Sequence, residues 1–143
     1  MSTVKRIESG LVTLLEEGAA EYRIGPAWDQ RTMQTFFSES GAVVVQVSKL
    51  DRLYPHLPDY RLEVIVRGRT SMETDGDKSL NDRLMSQISA RLDGLTPPMI
   101  AEATGESAVG WIPVSAARQS AADDSHQFEI IYNLYITDLI FKE

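Results

Sequence analysis

The stretch that decides the fold is the segment 126–137, which reads HQFEIIYNLYIT. Its large apolar side chains recur at every second position, at Phe128, Ile130, Tyr132, Leu134 and Ile136. Because successive side chains of a β-strand point to opposite faces of a sheet, this period of two predicts one long strand over 126–137 with a buried face.

Three segments upstream also have strand character. The segment 60–67 alternates between apolar and mostly charged residues, which favours an antiparallel sheet with one packed face. The β-branched run 42–47 is typical of a well-buried strand. In 109–118, one side carries Val109, Trp111 and Pro113, and the other carries Ile112 and Val114. Pro113 favours an edge position or a bulge, and we expect 109–118 to pair with 126–137 as antiparallel strands.

Two amphipathic helices accompany the strands. Residues 3–22 carry one apolar stripe, formed by Val4, Ile7, Leu11, Leu14, Leu15, Gly18 and Tyr22. Glu8, Glu16, Glu17 and Glu21 fall mostly on the solvent side of this helix, and Gly10 and Gly18 each weaken it by about 1 kcal/mol relative to alanine. A second helix is predicted over 79–93, with apolar residues at Leu80, Leu84, Ile88 and Leu92.

Local signals mark where the second helix begins and ends. Ser79 is a suitable N-cap with Asp82 three residues later, and Gly94 is a suitable C-cap. After Pro97-Pro98, residues 98–104 have room for one or two more helical turns. The remaining segments are predicted as breaks or loops: Ile24-Gly25-Pro26, the poorly patterned 26–41, 48–59 and the polar 70–78.

Together these elements predict an α+β fold. We expect a single domain over 1–143, with an antiparallel or mixed β-sheet packed against two amphipathic helices. The length of 143 residues and the 43% hydrophobic content suit one domain with a real core.

Composition excludes several classes of function. The chain has no cysteine, so disulfides, thiolate chemistry and cysteine-ligated metals are excluded. The net charge of −7 argues against a protein that clamps the nucleic-acid backbone. No apolar run approaches the ~18 residues of a membrane span, and no apolar signal-peptide stretch follows the first residues.

No sequence motif indicates catalysis. The histidines, His56 and His126, lack the spacing of metal ligands and are interpreted as ordinary surface or loop residues. Asp75-Gly76-Asp77 does not meet the offsets of a calcium-binding loop and is interpreted as a solvated turn. Nucleophile elbows, phosphate-binding glycine loops and dinucleotide fingerprints are absent from the sequence, so we expect no enzyme, cofactor or metal site.

Two further groups of residues have structural interpretations. Arg61, Arg67 and Arg69 form a basic strip along one strand, which we expect to pair with Glu63 or neighbouring acids rather than with nucleic acid. Trp28 and Trp111 are expected to fill the core or an interface.

The order of these segments resembles that of the tail terminator proteins of long-tailed bacteriophages. The matching pieces are the opening helix that ends near Tyr22, the strand 42–47, the segment Asp59-Tyr60-Arg61-Leu62-Glu63-Val64-Ile65-Val66, the helix 79–93 with the following Leu-Thr-Pro-Pro, and the acidic turn Asp123-Asp124-Ser125 before 128–136. The resemblance spans most of the chain, while the loop 48–59 has no counterpart in that family.

The resemblance implies a structural virion protein without enzymatic activity. Such proteins form a homo-hexameric ring that caps the tail tube, stops its polymerisation and offers a joining surface to head-completion or connector proteins. The partners would be other copies of the chain, the tail tube protein and a connector protein. DNA would pass through the ring without specific binding, and the protein would be assembled in the bacterial cytoplasm and located in the virion tail, with no membrane contact.

The residues on which such an assembly would depend are predicted in two polar loops. We expect contacts from Met72, Asp75 and Asp77 in 70–78, and from Asp123 and Asp124 in 119–125, since polar loops can become ordered on assembly. The alternatives are another phage neck or head–tail connector protein, a small-ligand-binding α+β domain with a deep apolar pocket, and an enzyme that uses carboxylates alone.

Overall fold

The structure is a computed structural model that describes residues 2–17, 23–38, 42–71, 79–121 and 125–140. Within these ranges the elements in chain order are α1 (Thr3–Glu16), β1 (Arg23–Pro26), α2 (Gln30–Ser38), β2 (Ala42–Arg52), β3 (Tyr60–Ser71), α3 (Ser79–Asp93), α4 (Pro97–Thr104), β4 (Ser107–Ala121) and β5 (Ser125–Thr137). The predicted α+β class is confirmed.

The strands form one mixed sheet in the order β1-β2-β3-β5-β4. β1 pairs with β2 in parallel, and the other three pairings are antiparallel. The long pairing of β3 with β5 forms the middle of the sheet and sets Val64 opposite Tyr132. The predicted antiparallel pairing of the last two strands is confirmed, and β4 lies at one edge of the sheet.

The main core lies between one face of this sheet and the helices α1, α3 and α4. The alternate residues that the sequence pattern assigned to the buried face of β5 are all 2% exposed or less. They pack against Ile7, Leu11 and Leu15 of α1, Leu84 and Ile88 of α3, and Ile100 of α4. The stripe predicted in the first helix is confirmed at Ile7, Leu11, Leu14 and Leu15, while Val4 is only half-buried and outside this core. The helix ends at Glu16 instead of near Tyr22, and Gly18, Glu21 and Tyr22 lie outside the described residues.

The opposite face of the sheet carries a second, smaller cluster. Ala42 and Val44 of β2 point to this face and pack against Ala27 and Met33, so α2 covers the sheet near the start of β2. The prediction that Ile24-Gly25-Pro26 only ends a helix is wrong, because these residues belong to β1. The interpretation of 26–41 as unpatterned is also wrong for 30–38, which form α2; both elements are too short to show a period.

Several predicted boundaries are corrected by the structure. β2 continues to Arg52 through part of the predicted loop 48–59, and a shift of register between Val47 and Lys49 interrupts its alternation. β3 likewise extends to Ser71, so residues 70 and 71 of the predicted loop 70–78 belong to this strand, and 72–78 are outside the described residues. α3 begins and ends at the predicted residues, and the predicted turns after Pro97-Pro98 form α4.

Glu8 contradicts the prediction that it lies on the solvent side of the first helix. Its side chain is buried, and its two carboxylate oxygens accept hydrogen bonds from the backbone N–H groups of Trp28 (3.1 Å) and Val47 (2.9 Å). Burial raises the pKa of the Glu8 carboxyl, and the backbone hydrogen bonds oppose that rise. Glu8 therefore ties α1 to the turn after β1 and to the irregular point of β2.

Candidate assembly surface

The loop residues predicted to make assembly contacts lie outside the described residues. Met72, Asp75 and Asp77 fall in 72–78, and Asp123 and Asp124 fall in 122–124. The described part of the chain instead exposes large apolar side chains, besides the single residues Trp28 and Ile140, in two groups. These are the β4 edge and the tip of the β2–β3 hairpin.

The first place, which we name the edge surface, consists of Val109, Ile112 and Val114 on β4. These side chains are 59%, 51% and 53% exposed. The register of β4 against β5 shifts between Ala108 and Gly110 and again between Pro113 and Ser115, so Val109 and Val114 are the extra residues of two β-bulges. The predicted two-sided alternation of 109–114 is therefore wrong, because the bulges change which residues face the core.

The edge surface is unusual in its lack of charge. The segment 107–117 contains no Asp, Glu, Lys or Arg. Soluble proteins commonly place charged residues, prolines or bulges on an exposed edge strand, since these disfavour pairing with another strand. β4 has Pro113 and two bulges, and its charged residue, Arg118, lies beyond this segment and pairs with Asp82, so the side chains of 107–117 are suited to apolar contact.

Trp111 anchors this edge to the core. Its ring stacks on Tyr132 with centroids 4.4 Å apart, and its indole N–H donates to the carbonyl oxygen of Leu92 at 2.9 Å. The Tyr132 hydroxyl bonds to Asp93, and burial together with this carboxylate raises the pKa of Tyr132. The edge surface is thus held in place by the end of α3. The prediction that the tryptophans fill the core or an interface is confirmed for Trp111, which packs against the core, whereas Trp28 is 39% exposed and does not fill the core.

The second place, which we name the hairpin arm, is the segment 50–59 at the tip of the β2–β3 hairpin. Its exposed apolar side chains are Leu50, Leu53, Tyr54 and Leu57, which range from 38% to 55% exposed. Pro55 and Pro58 restrict its backbone. The sequence predicts a connecting loop here, and its pattern does not mark these side chains as a surface.

The hairpin arm has a defined shape despite its exposure. The backbone N–H of Leu53 donates to the carbonyl of Asp59 (2.9 Å), which closes the tip. The backbone N–H of Leu139 donates to the carbonyl of Pro58 (2.9 Å), which fixes the tip to the segment that follows β5. The guanidinium of Arg52 lies 5.6 Å from the centre of the Tyr60 ring. Because these contacts preorder the arm, docking it would cost less conformational entropy than docking a flexible loop.

The basic strip along β3 is occupied by neighbouring acids, as predicted. Arg61 pairs with Asp51 across the hairpin (3.1 Å), and Arg67 pairs with Glu129 on β5 (3.1 Å). Glu63 accepts a hydrogen bond from the Ser48 hydroxyl (2.7 Å) instead of forming the expected arginine pair. Arg69 is buried and is not part of the exposed strip.

The two histidines lie in different environments. His56 is exposed in the hairpin arm, in agreement with the sequence interpretation. His126 is buried with 4% of its surface exposed, so its interpretation as a surface or loop residue is wrong. It lies two residues before Phe128 in β5, so its side chain is on the same face of the sheet as Phe128 and points to the core. Among the described residues, no group of three or more His, Asp or Glu side chains is placed to hold a metal ion.

Comparisons with known proteins place no constraint on the function. No family model matches the sequence, and no curated protein matches it significantly. Within the described residues, no helix combines the length and apolar character needed to cross a membrane.

Proposed function

We propose that the protein is a structural subunit that assembles with copies of itself into a closed ring. We further propose that this ring is a tail terminator of a long-tailed bacteriophage, located in the virion tail. The observation that carries the proposal is the presence of two different exposed apolar surfaces, the edge surface and the hairpin arm, on separate parts of one sheet.

Two different surfaces are what a ring requires. A two-fold dimer uses the same patch on both subunits, whereas a ring uses two patches that meet head to tail and close when the rotation is right. The edge surface lies on the last strand of the sheet, and the hairpin arm extends from the second and third strands. A neighbouring subunit can therefore contact each surface independently.

The negative net charge of the chain also supports the role in a phage tail. A ring through which DNA passes must not hold the phosphate backbone, and the net charge of −7 disfavours such binding. The two exposed arginines of β3, Arg61 and Arg67, lie beside Asp51 and Glu129, whose carboxylates reduce the positive potential that a phosphate would meet there. Partners of the ring would be the tail tube protein and a connector protein of the head.

The test is the mass of the protein in solution. Light scattering coupled to size exclusion, repeated over a range of protein and salt concentrations, is expected to show a closed oligomer, most simply a hexamer, that gains population as concentration rises. Because apolar contacts dominate the proposed surfaces, the ring should persist at high salt. A particle that stays monomeric at millimolar concentration, or one that stops at a dimer, would contradict the ring.

A second measurement separates the tail role from ring formation in general. Purified tail tube protein is expected to polymerise to shorter, capped tubes when the ring is added, as seen by electron microscopy. If the tubes keep their length and carry no cap, the terminator function is wrong, although the protein can still form a ring.

A further inference from the structure

We propose that His126 makes one end of the sheet sensitive to acid: this end stays closed while the imidazole is neutral and opens when the imidazole is protonated. We name it the latch end, and it consists of 69–71 of β3, 119–121 of β4 and 125–127 of β5, which pair side by side. The proposal concerns the single chain and does not depend on ring formation.

The imidazole of His126 is enclosed without a hydrogen-bond partner. The residue is 4% exposed, and neither Nδ1 nor Nε2 has a partner among the described residues. A neutral imidazole carries one N–H donor and one acceptor, so both groups are buried without a bond. Because a buried polar group without a bond costs stability, solvation by water favours opening of this end even before protonation.

Protonation makes the closed arrangement less favourable. An imidazolium ion carries a positive charge and two N–H donors, and the described residues offer neither donor an acceptor. The backbone carbonyl of His126 accepts a hydrogen bond from Nδ2 of Asn81 at 2.9 Å, which holds this part of β5 against the first turn of α3. The imidazolium can therefore reach water only when the latch end separates from α3.

The charged groups on the elements around His126 do not compensate for its positive charge. Arg118 of β4 lies on the same face of the sheet and pairs with Asp82 of α3 at 3.3 Å. Arg69 of β3 is buried on the opposite face, and Arg83 of α3 is exposed. All three arginines add positive potential, and the carboxylate of Asp82 is already paired with one of them.

Opening of the latch end would affect the segments that continue from it. Residues 72–78 follow directly after β3, and 122–124 connect β4 to β5, and both segments contain residues for which the sequence predicts assembly contacts. From Phe128 onward the inward side chains of β5 do not take up protons near neutral pH. Acid is therefore expected to act on the strand ends that carry these segments, while the rest of the core stays closed.

Native-state hydrogen exchange above and below the range in which histidine titrates tests this proposal. An exposed histidine takes up its proton at about pH 6.5, so an opening that exposes His126 becomes about tenfold more favourable between about pH 7.5 and about pH 5.5. The closed end is thus most stable above this range and loses stability as the pH falls. After correction for the intrinsic exchange rate, we expect the protection of the amides of 125–127 to fall about tenfold. At both pH values it should lie below the protection of 132–136, because the end opens without global unfolding.

Two matched variants assign this pH dependence to one histidine. His126→Gln removes the titrating group and keeps a polar side chain, and His56→Gln makes the same change at the exposed histidine of the hairpin arm. We expect the fall in protection to disappear in His126→Gln and to remain in His56→Gln. If His126→Gln does not fold, His126→Phe replaces it with the same expectation, since its ring resembles imidazole in shape and does not titrate.

Four results would overturn the proposal. The first is protection of 125–127 that does not change with pH in wild type, and the second is a fall that persists in the His126 variant. The third is a fall that disappears in His56→Gln. The fourth is equal protection of 125–127 and 132–136, since this end would then open only together with the whole chain. These results do not bear on the ring, which light scattering tests separately.

Discussion

Replacing Gly10 by alanine has two opposing effects on stability: higher helix propensity stabilises the protein, and a steric clash destabilises it. In an isolated helix the change would stabilise α1 by about 1 kcal/mol. In the folded protein, however, a Cβ on Gly10 would lie 2.6 Å from the carbonyl oxygen of Ala103 and 2.8 Å from Cγ2 of Thr104. Gly10 therefore lies where the backbone of α1 comes too close to α4 for a Cβ to fit.

The magnitude follows from the size of this conflict. Ordinary contact begins at 3.4 Å, so α1 and α4 would have to separate by about 0.8 Å. The nearest obstacle is backbone, which cannot move aside by rotating a side chain. Overpacking of this kind costs about 1–3 kcal/mol, which exceeds the propensity gain. We expect Gly10→Ala to lower the free energy of unfolding by about 1 kcal/mol, and the melting temperature by about 4 °C.

Urea unfolding followed by circular dichroism measures this change, with Gly94→Ala as the matched control. A Cβ on Gly94 would have its nearest neighbours at 3.5 Å, so that variant is expected to be neutral or slightly more stable. The slope of the unfolding curve should be unchanged in both variants. A Gly10→Ala protein that is more stable than wild type by about 1 kcal/mol would refute the packing argument.

Three further predictions concern the core and its hydrogen bonds. Gly68→Ala would bring a Cβ onto the buried ring of Phe128 and should destabilise by about 1–3 kcal/mol in urea unfolding; a neutral result would contradict the close approach. Trp111→Phe should cost about 1 kcal/mol through loss of its bond to the carbonyl near the end of α3, and more than Trp28→Phe, whose indole bond is exposed. Because burial raises the pKa of Glu8, the stability of wild type relative to Glu8→Gln should be greatest below pH 4.5 and should fall as the pH rises through the folded pKa. Urea unfolding at several pH values measures this difference. A stability difference that rises with pH would show that the backbone hydrogen bonds to the carboxylate outweigh its burial.

The predictable parts of the fold are those with strong local signals. α3 was predicted to the residue because Ser79, Gly94 and the spacing of its apolar residues all act locally. β1 and α2 were missed because four and nine residues are too few to establish a period. The pairing of β1 with β2 that stabilises them is a tertiary contact.

The burial of Glu8 was also beyond sequence reasoning. The pattern of α1 placed this carboxylate with the other glutamates on the solvent side. Its partners are backbone N–H groups of residues 28 and 47, which reach it only after the sheet has formed. Burial of an acid is favourable only when such donors are present, and the sequence does not reveal where they are.

The candidate surface was hidden in the sequence for a different reason. Val109, Ile112 and Val114 are ordinary strand residues in composition, and exposure depends on the order of strands in the sheet. Two bulges then change which of these side chains point to the core, so the alternation in the sequence assigns them to the wrong faces. The sequence did signal an edge through Pro113, which was the one available clue.

The strand order also has a consequence for how the chain folds. Four of the five strands form two local hairpins, β2–β3 and β4–β5, which are joined by a seam in which Tyr60 pairs with Ile136, and β1 adds to the outer side of β2. Hairpins form in about 1–10 μs, whereas pairing of distant segments is slow because a long loop must close first. We expect the meeting of the two hairpins to limit the folding rate. Truncation of Val64 in the seam should therefore slow folding, while truncation of Val109 at the edge should leave the folding rate unchanged in stopped-flow kinetics.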